Sequence, residues 1–169
     1  LRHYDGTSWS AKGTLRILED ERPPLYLTGM ASLSASDVLA VGTDGRILHF
    51  DGKVWSPEQS GTTQHLQGVF ALGGDYYAVG RQGTLLRRHQ GTWQAEQSGD
   101  ASMADLFDIW GAEPGELWAV GDHGTILRRG MQDGRWTVAR STGPRLLSIW
   151  GAASTRWAVG CSAEANIVP

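Results

Sequence analysis

A short pattern returns four times along the chain at an almost constant interval. Each copy contains the tripeptide Ala-Val-Gly, and successive glycines are 38, 41 and 39 residues apart. These glycines are Gly42, Gly80, Gly121 and Gly160. Two further landmarks repeat with them, namely a large apolar residue at Met30, Phe70, Trp110 and Trp150, and a tryptophan at Trp9, Trp55, Trp93 and Trp136. Self-similarity at a period of roughly 20 to 50 residues predicts a repeat architecture.

The clearest copy spans residues 106–136 and divides into four short segments rich in aromatic and branched side chains. Pro114-Gly115 indicates a turn between the first and second segments. His123-Gly124 indicates a primed two-residue turn between the second and third, because glycine supplies the positive φ that this turn requires. Four short antiparallel strands in about 40 residues predict one blade of a β-propeller.

The two ends of the chain carry complementary parts of a blade. Residues 1–9 (LRHYDGTSW) match residues 47–55 (ILHFDGKVW), so the chain opens on a third and a fourth strand. It closes on a first and a second strand, within 146–160, and residues 14–24 are predicted to be an extended fourth strand plus a loop. We therefore predict one all-β domain, 1–169. It is a four-bladed β-propeller with four antiparallel strands per blade, in which the N-terminal strands complete the last blade and close the ring. Two alternatives stay open, a part of a larger propeller or a ring assembled from two copies.

Composition and charge limit the classes of partner and the cellular compartment that we expect. A formal net charge of -3 gives no electrostatic reason to expect nucleic acid or an anionic membrane, and no apolar run reaches the roughly 18 residues of a membrane span. The single cysteine, Cys161, cannot form a disulfide within the chain. The absence of an initial Met, with a start in mid-repeat, suggests that a leader or an upstream portion has been removed, so we expect an extracytoplasmic or secreted protein and leave the cytoplasm open. An excess of Arg over Lys suggests a bacterial source.

The pattern V-G-x-x-G-x-I-L followed by D-G-x-x-W resembles the short-blade propellers of the BNR or Asp-box-like type. It is similar to the photosystem II assembly-factor propellers and to repeat-rich exported proteins of myxobacteria. The segments 4–9 and 50–55 lack the residue that an Asp box has between Asp and Gly. The resemblance covers nearly the whole chain and implies a fold rather than a site.

No catalytic constellation accompanies the blades. A resemblance to sialidases would imply an arginine cluster, a Tyr/Glu pair and an acid/base Asp, and no position matches that motif. The histidines show no metal-ligand spacing, and no nucleophile elbow surrounds a serine. We therefore predict a protein that is not an enzyme and has no cofactor or metal.

The residues that differ between copies point to a binding face. In a propeller, the turns between second and third strands and the loops between blades share one face, which here gathers Asp44, Gln82 and His123 with loops 58–64, 97–104 and 141–145. Such variable polar residues on a rigid scaffold are typical of a binding surface. Trp110 and Trp150 are candidate sugar-stacking residues, although their positions are apolar in every copy, which favours core packing.

Two further sets recur at equivalent positions. A basic set on the third strands could grip an anion or could simply alternate with packing residues, and it comprises His3, His49, Arg87 and Arg128. A small polar set on the first strands is predicted to line the central channel, and it comprises Thr28, Gly68, Asp108 and Ser148.

These observations favour a non-catalytic scaffold that binds a protein or another partner through its loop face. The alternative is a carbohydrate-binding lectin, and a glycosidase-related propeller is less favoured. The expected partner is a protein or a glycan, without nucleic acid or a membrane span, and a homo-oligomer is possible. Exposed tryptophan beside the loop face would favour the lectin.

Overall fold

The computed structural model describes residues 2–15, 26–99, 103–112, 115–130, 132–152 and 155–161. Apart from single 3-10 turns at Thr43–Gly45 and Asp122–Gly124, the regular elements of these residues are strands. None of the helical turns in this part of the chain is long and apolar enough to cross a membrane. The strands are β1 (Arg2–Tyr4), β2 (Trp9–Ala11), β3 (Thr14–Leu15), β4 (Leu27–Ser34), β5 (Asp37–Gly42), β6 (Ile47–Phe50), β7 (Val54–Glu58), β8 (Leu66–Leu72), β9 (Asp75–Gly80), β10 (Leu85–His89), β11 (Thr92–Ala95), β12 (Leu106–Ala112), β13 (Glu116–Gly121), β14 (Thr125–Arg129), β15 (Trp136–Ser141), β16 (Arg145–Ala152) and β17 (Thr155–Cys161).

Three complete blades form the middle of the molecule. Blade I contains β4 to β7, blade II contains β8 to β11, and blade III contains β12 to β15, each paired antiparallel in sequence order. β16 and β17 form a two-stranded sheet, which we call half-blade IV, and β1 and β2 form another, which we call the terminal hairpin. The predicted all-β architecture with four-stranded antiparallel blades is confirmed.

The segment 14–24, which the sequence predicts as an extended fourth strand plus a loop, differs from that prediction where the structure describes it. β3 is a separate two-residue strand that pairs parallel to β7 at the edge of blade I. Residues 16–24 of the predicted segment lie outside the described residues.

Blades II and III bury two apolar faces, because successive side chains of a strand point to opposite sides of the sheet. One face packs on the preceding blade and the other on the following blade or half-blade, and the inner strands β4, β8, β12 and β16 contact one another in that order. The buried faces include Leu39, Val41 and Ile47 against Leu66, Tyr76 and Ala78 between blades I and II, and Tyr77, Val79 and Leu85 against Leu106, Ala119 and Leu127 between blades II and III.

The alignment of the first copy was wrong by one residue. Ala31 faces Leu39 across the first strand pair, as Phe70 faces Tyr77 in blade II, so Ala31 and not Met30 is the counterpart of Phe70. A bulge after the first leucine of each inner strand fixes this register. For the same reason Gly29 and not Thr28 is the counterpart of Gly68.

The described strands do not join the two ends of the chain. Within these residues β1 pairs with β2, β17 pairs with β16, and no pairing links the terminal hairpin to half-blade IV. Closure of the ring therefore stays a prediction, beside the two alternatives of a larger propeller and a ring built from two copies.

Candidate functional site

Three tight turns present different side chains in one conformation on the loop face, by which we mean the end with the turns between second and third strands and the loops between blades. Asp44, Gln82 and His123 have φ of 58°, 52° and 56°, and all three side chains are exposed. In blade III the amide of Thr125 donates to the carbonyl of Asp122 across a turn whose two central residues both have positive φ. This is the primed turn that the sequence predicts.

Two of the turns are held by the following blade. The backbone amide of Asp44 donates to Nδ1 of His65 at 2.9 Å, and the backbone amide of Gln82 donates to Oδ1 of Asp105 at 2.9 Å. Nε2 of Gln64 also donates to Oε1 of Gln82 at 3.0 Å. These bonds orient the turns before any ligand arrives.

A cleft of about 430 Å³ opens on the loop face between blades II and III, and we call it the II–III cleft. Its lining includes the neutral polar side chains of Gln82, Gln97 and Ser98 and the thioether of Met103. Met103 is 60% exposed and has a φ of 49°. A non-glycine residue rarely adopts this left-handed conformation, and such residues cluster at functional sites. The repeat gave no signal for Met103, because it lies in a loop between blades.

Both tryptophans of the predicted site lie away from the loop face. The inner strands start at that face and run away from it, and Trp110 and Trp150 lie near the far ends of β12 and β16. They pair there with Trp118 and Trp157 respectively. The structure therefore places the three turn residues on one face and does not bring the two tryptophans to it.

Three members of the basic set of the third strands are paired with carboxylates of their own blades, whereas Nε2 of His3 lies 3.5 Å from Nζ of Lys12. In each pair the carboxylate is the first residue of the second strand of the same blade. The pairs are His49 with Asp37, Arg87 with Asp75 and Arg128 with Glu116, at 2.9, 2.5 and 2.7 Å. Burial alone would raise the pKa of Asp75, but hydrogen bonds from His89 and Arg87 outweigh it and the pKa lies below its ordinary value. This pairing favours the structural interpretation of the set over an anion-binding one.

The small polar residues of the first strands tie neighbouring blades together. Oγ1 of Thr28 donates to the carbonyl of Leu66 at 2.6 Å. The carboxylate of Asp108 accepts from Oγ of Ser148 at 2.7 Å and from the amide of Ile149 at 2.9 Å. These bonds hold the inner strands at the positions that set the loop face.

Two matching clamps between blades were not predicted. In each clamp a glutamate at the end of a fourth strand accepts hydrogen bonds from an arginine and from the indole Nε1 of a tryptophan in the next blade, at 2.6 to 3.0 Å. The clamps are Glu58 with Arg88 and Trp93, and Glu96 with Arg129 and Trp136. The recurring Trp-x-x-Glu at 55–58 and 93–96 is the sequence signal that could have revealed them.

The chemistry available at the loop face is recognition by hydrogen bonds and apolar contact. Glutamine amides both donate and accept, so the II–III cleft can bond to neutral polar groups of either kind. Among the described residues, no group of three or more His, Cys, Asp or Glu side chains is placed to hold a metal ion.

Comparison with known proteins supports the fold. No protein-family model and no curated protein matches the chain. A solved structure described as YCF48 bound to D1 peptide is similar over 71% of this chain and 43% of that chain, with 16% identity and a TM-score of 0.60. YCF48 from Cyanidioschyzon merolae aligns over 79% of this chain and 64% of that one, with 16% identity and a TM-score of 0.47.

The match with a TM-score of 0.60, together with the four-stranded antiparallel blades, places the chain in the β-propeller class. The chain spans less than half the length of the peptide-bound YCF48 chain. At 16% identity the likeness concerns the fold.

Proposed function

We propose that this protein is a non-catalytic binding scaffold that recognises a segment of a polypeptide through its loop face, with the II–III cleft at the centre of the site. The observation that carries the proposal is the combination of fixed turns and variable side chains. Asp44, Gln82 and His123 share one backbone conformation but differ in charge and shape. A rigid scaffold that presents different side chains at equivalent positions is suited to selective recognition.

The rigidity of the site comes from the contacts beneath it. The clamp of Glu96 with Arg129 and Trp136 joins blades II and III directly under the II–III cleft, and Glu96 itself contributes to the lining. A site that is already ordered loses less conformational freedom on binding, which favours affinity.

A polypeptide suits the lining of the II–III cleft. Peptide groups carry one donor and one acceptor each, which the amides of Gln82 and Gln97 can satisfy. Met103 offers a flexible apolar contact of the kind used by adaptable binding surfaces. The peptide bound to the YCF48 propeller supports this class of partner.

A relation to BNR or Asp-box-like repeats and to exported myxobacterial proteins is part of the proposal and rests on the V-G-x-x-G-x-I-L pattern.

The lectin receives no comparable support. The exposed tryptophans of the described residues are Trp9, Trp150 and Trp157. All three lie toward the end opposite the loop face, because Trp9 starts a fourth strand and the other two pair near the far ends of β16 and β17. No exposed tryptophan of the described residues therefore lies beside the variable turns, where the exposed aromatic residue next to the turn of Asp44 is Tyr26.

The test is selection of linear peptides from a phage-displayed random library on the purified chain, followed by titration of a selected peptide. Met103→Ser should weaken binding by about 10- to 150-fold, since burial of one such side chain is worth roughly 1.5 to 3 kcal/mol. Ser36→Ala, in an exposed turn at the opposite end, is the matched control and should bind as the wild type does. Failure to select any peptide, or equal affinity of Met103→Ser and the wild type, would overturn the proposal.

A further inference from the structure

The residue that precedes the first leucine of an inner strand contacts the turn of the blade before it. This residue is His65 in blade II, Asp105 in blade III and Arg145 in half-blade IV. Nδ1 of His65 and Oδ1 of Asp105 each accept from a turn amide. Nε of Arg145 instead donates to the carboxylate of Asp122, in the turn of blade III. One position therefore holds a turn in two ways, as an acceptor from its amide or as a donor to its carboxylate.

The contact of His65 fixes the protonation of its imidazole. A backbone amide can only donate, so Nδ1, which lies 2.9 Å from the amide nitrogen of Asp44, carries no proton. The neutral ring therefore has its proton on Nε2. A charged imidazole has a proton on both nitrogens and cannot accept this bond. His65 thus holds the turn of Asp44 only in the neutral form.

A protonated His65 has a second partner within reach. Oδ1 of Asp44 lies 3.6 Å from the same Nδ1, and the side chains of His65 and Asp44 are 31% and 66% exposed. Rotation of the exposed carboxylate brings it to hydrogen-bond distance of the new N–H. The resulting contact is the one that Arg145 makes with Asp122 two blades further on. Both states of His65 therefore have a counterpart in this molecule.

The other charged groups near this contact have partners of their own. The charged side chains at this end of blades I and II are Asp44, Arg46, Glu58 and Arg81. Glu58 is bound in its clamp, and the guanidinium of Arg81 faces Asp105 at 3.9 Å. Among the described residues, Asp44 supplies the one carboxylate within ion-pair distance of His65. Protonation of the imidazole therefore acts first on the turn of Asp44.

We propose that His65 is a positioning residue that makes the turn of Asp44 sensitive to pH. Neutral His65 accepts from the amide of Asp44 and leaves the carboxylate to a partner, whereas protonated His65 releases the amide and takes the carboxylate. The turn of Gln82 keeps its bond, because the acceptor there belongs to an aspartate, a residue that ordinarily stays ionised above about pH 5. For recognition, this inference rests on the proposed function. Acid should weaken a peptide that places Lys or Arg beside Asp44.

NMR of the 15N-labelled chain tests the contact without a ligand. At neutral pH we expect a scalar coupling across the hydrogen bond between the amide nitrogen of Asp44 and Nδ1 of His65, and ring shifts of the Nε2–H tautomer. Both should disappear as the imidazole gains its proton between about pH 8 and pH 5. Exchange of the Asp44 amide with solvent, relative to that of Gln82, should then rise roughly two- to tenfold. An Nδ1–H tautomer at neutral pH, or a constant exchange ratio, would overturn the proposal.

Substitution of the histidine separates its charge from its acceptor. His65→Asn keeps an oxygen acceptor like that of Asp105 and cannot become charged, so its Asp44 amide should stay protected in acid. His65→Ala should leave the amide unprotected at every pH. His123→Asn removes another exposed histidine of the loop face and, as the matched control, should keep the pH response. A response of His65→Asn equal to that of the wild type would contradict the role of His65.

Peptide binding distinguishes this inference from the proposed function. Among peptides selected at neutral pH, one that Asp44→Asn weakens should also bind about two- to fivefold more weakly at pH 5, as expected for loss of one exposed ion pair. His65→Asn should abolish this difference. Failure to select any peptide would contradict the proposed function, and the NMR titration of the free chain would still decide the role of His65. An equal loss of affinity in His65→Asn would show that His65 does not control recognition.

Discussion

Removal of the Glu96 carboxylate should destabilise the protein through the groups it leaves unpaired. The side chains of Glu96 and Arg129 are 18% and 9% exposed, and Trp136 is 4% exposed. Loss of one partner of a buried ion pair costs about 3 to 5 kcal/mol, and we take about 3 kcal/mol because Glu96 keeps some contact with water. For a domain of this size each kcal/mol lowers Tm by about 2 to 4 °C, so Glu96→Ala should melt roughly 6 to 12 °C below the wild type.

Thermal unfolding followed by circular dichroism measures this effect, with urea unfolding as an independent estimate of the free energy. Gln94→Ala, exposed on the same strand, is the matched control and should change stability by less than about 0.5 kcal/mol. Glu96→Ala/Arg129→Met should be more stable than Glu96→Ala, since methionine keeps the apolar contact with Tyr77 and leaves no buried charge. The reasoning is refuted if Glu96→Ala melts with the control, or if the double variant is less stable than the single one.

Two further predictions concern acid stability and the tight turns. The pKa of Asp75 is lowered in the folded state, so its contribution to stability is complete above the ordinary pKa of about 3.9 and is lost as the pH falls through the lowered value. Asp75→Asn should therefore differ from the wild type in urea midpoint most at neutral pH, and a difference that persists unchanged into strong acid would contradict this. Gly73→Ala, at φ 60° in open space, should cost about 1 kcal/mol, whereas Gly45→Ala, at φ 69°, also collides with the carbonyl of Thr62 and should cost at least twice as much. Equal melting temperatures of the two variants would show that the collision is relieved.

The blades were predictable because their signals are local. A glycine at the second central position of each turn and the alternation of apolar residues beside it fix a hairpin within a dozen residues. The register of the first copy was harder to predict. Met30 is a large apolar residue like Phe70, but the bulge after Leu27 shifts the strand by one position. Pairing partners, rather than side-chain size, decide that register.

The site was predictable only in part, for a related reason. The conformation of the turn residues follows from local sequence, so Asp44, Gln82 and His123 could be assigned to equivalent tight turns, and their role in binding stays a prediction. The exposure of Met103 depends on the path of a loop that has no repeat. The clamps join residues 30 to 40 positions apart, such as Glu58 with Arg88, and a pattern within one blade does not reveal a contact between two.

The clamps are one of two kinds of charged contact that join neighbouring blades. Three residues after the fourth-strand tryptophan, blades I and II carry the clamp glutamates, whereas the terminal hairpin carries Lys12 and blade III carries Ala139. At the hairpin the carbonyl of Lys12 accepts from Nε1 of Trp55 at 3.1 Å in place of a clamp. Between blade III and half-blade IV, ion pairs of Arg145 with Asp122 and of Arg156 with Glu116 take the place of a clamp, so charge joins the row from blade I to half-blade IV. The II–III cleft lies over a clamped contact, as a preorganised site requires.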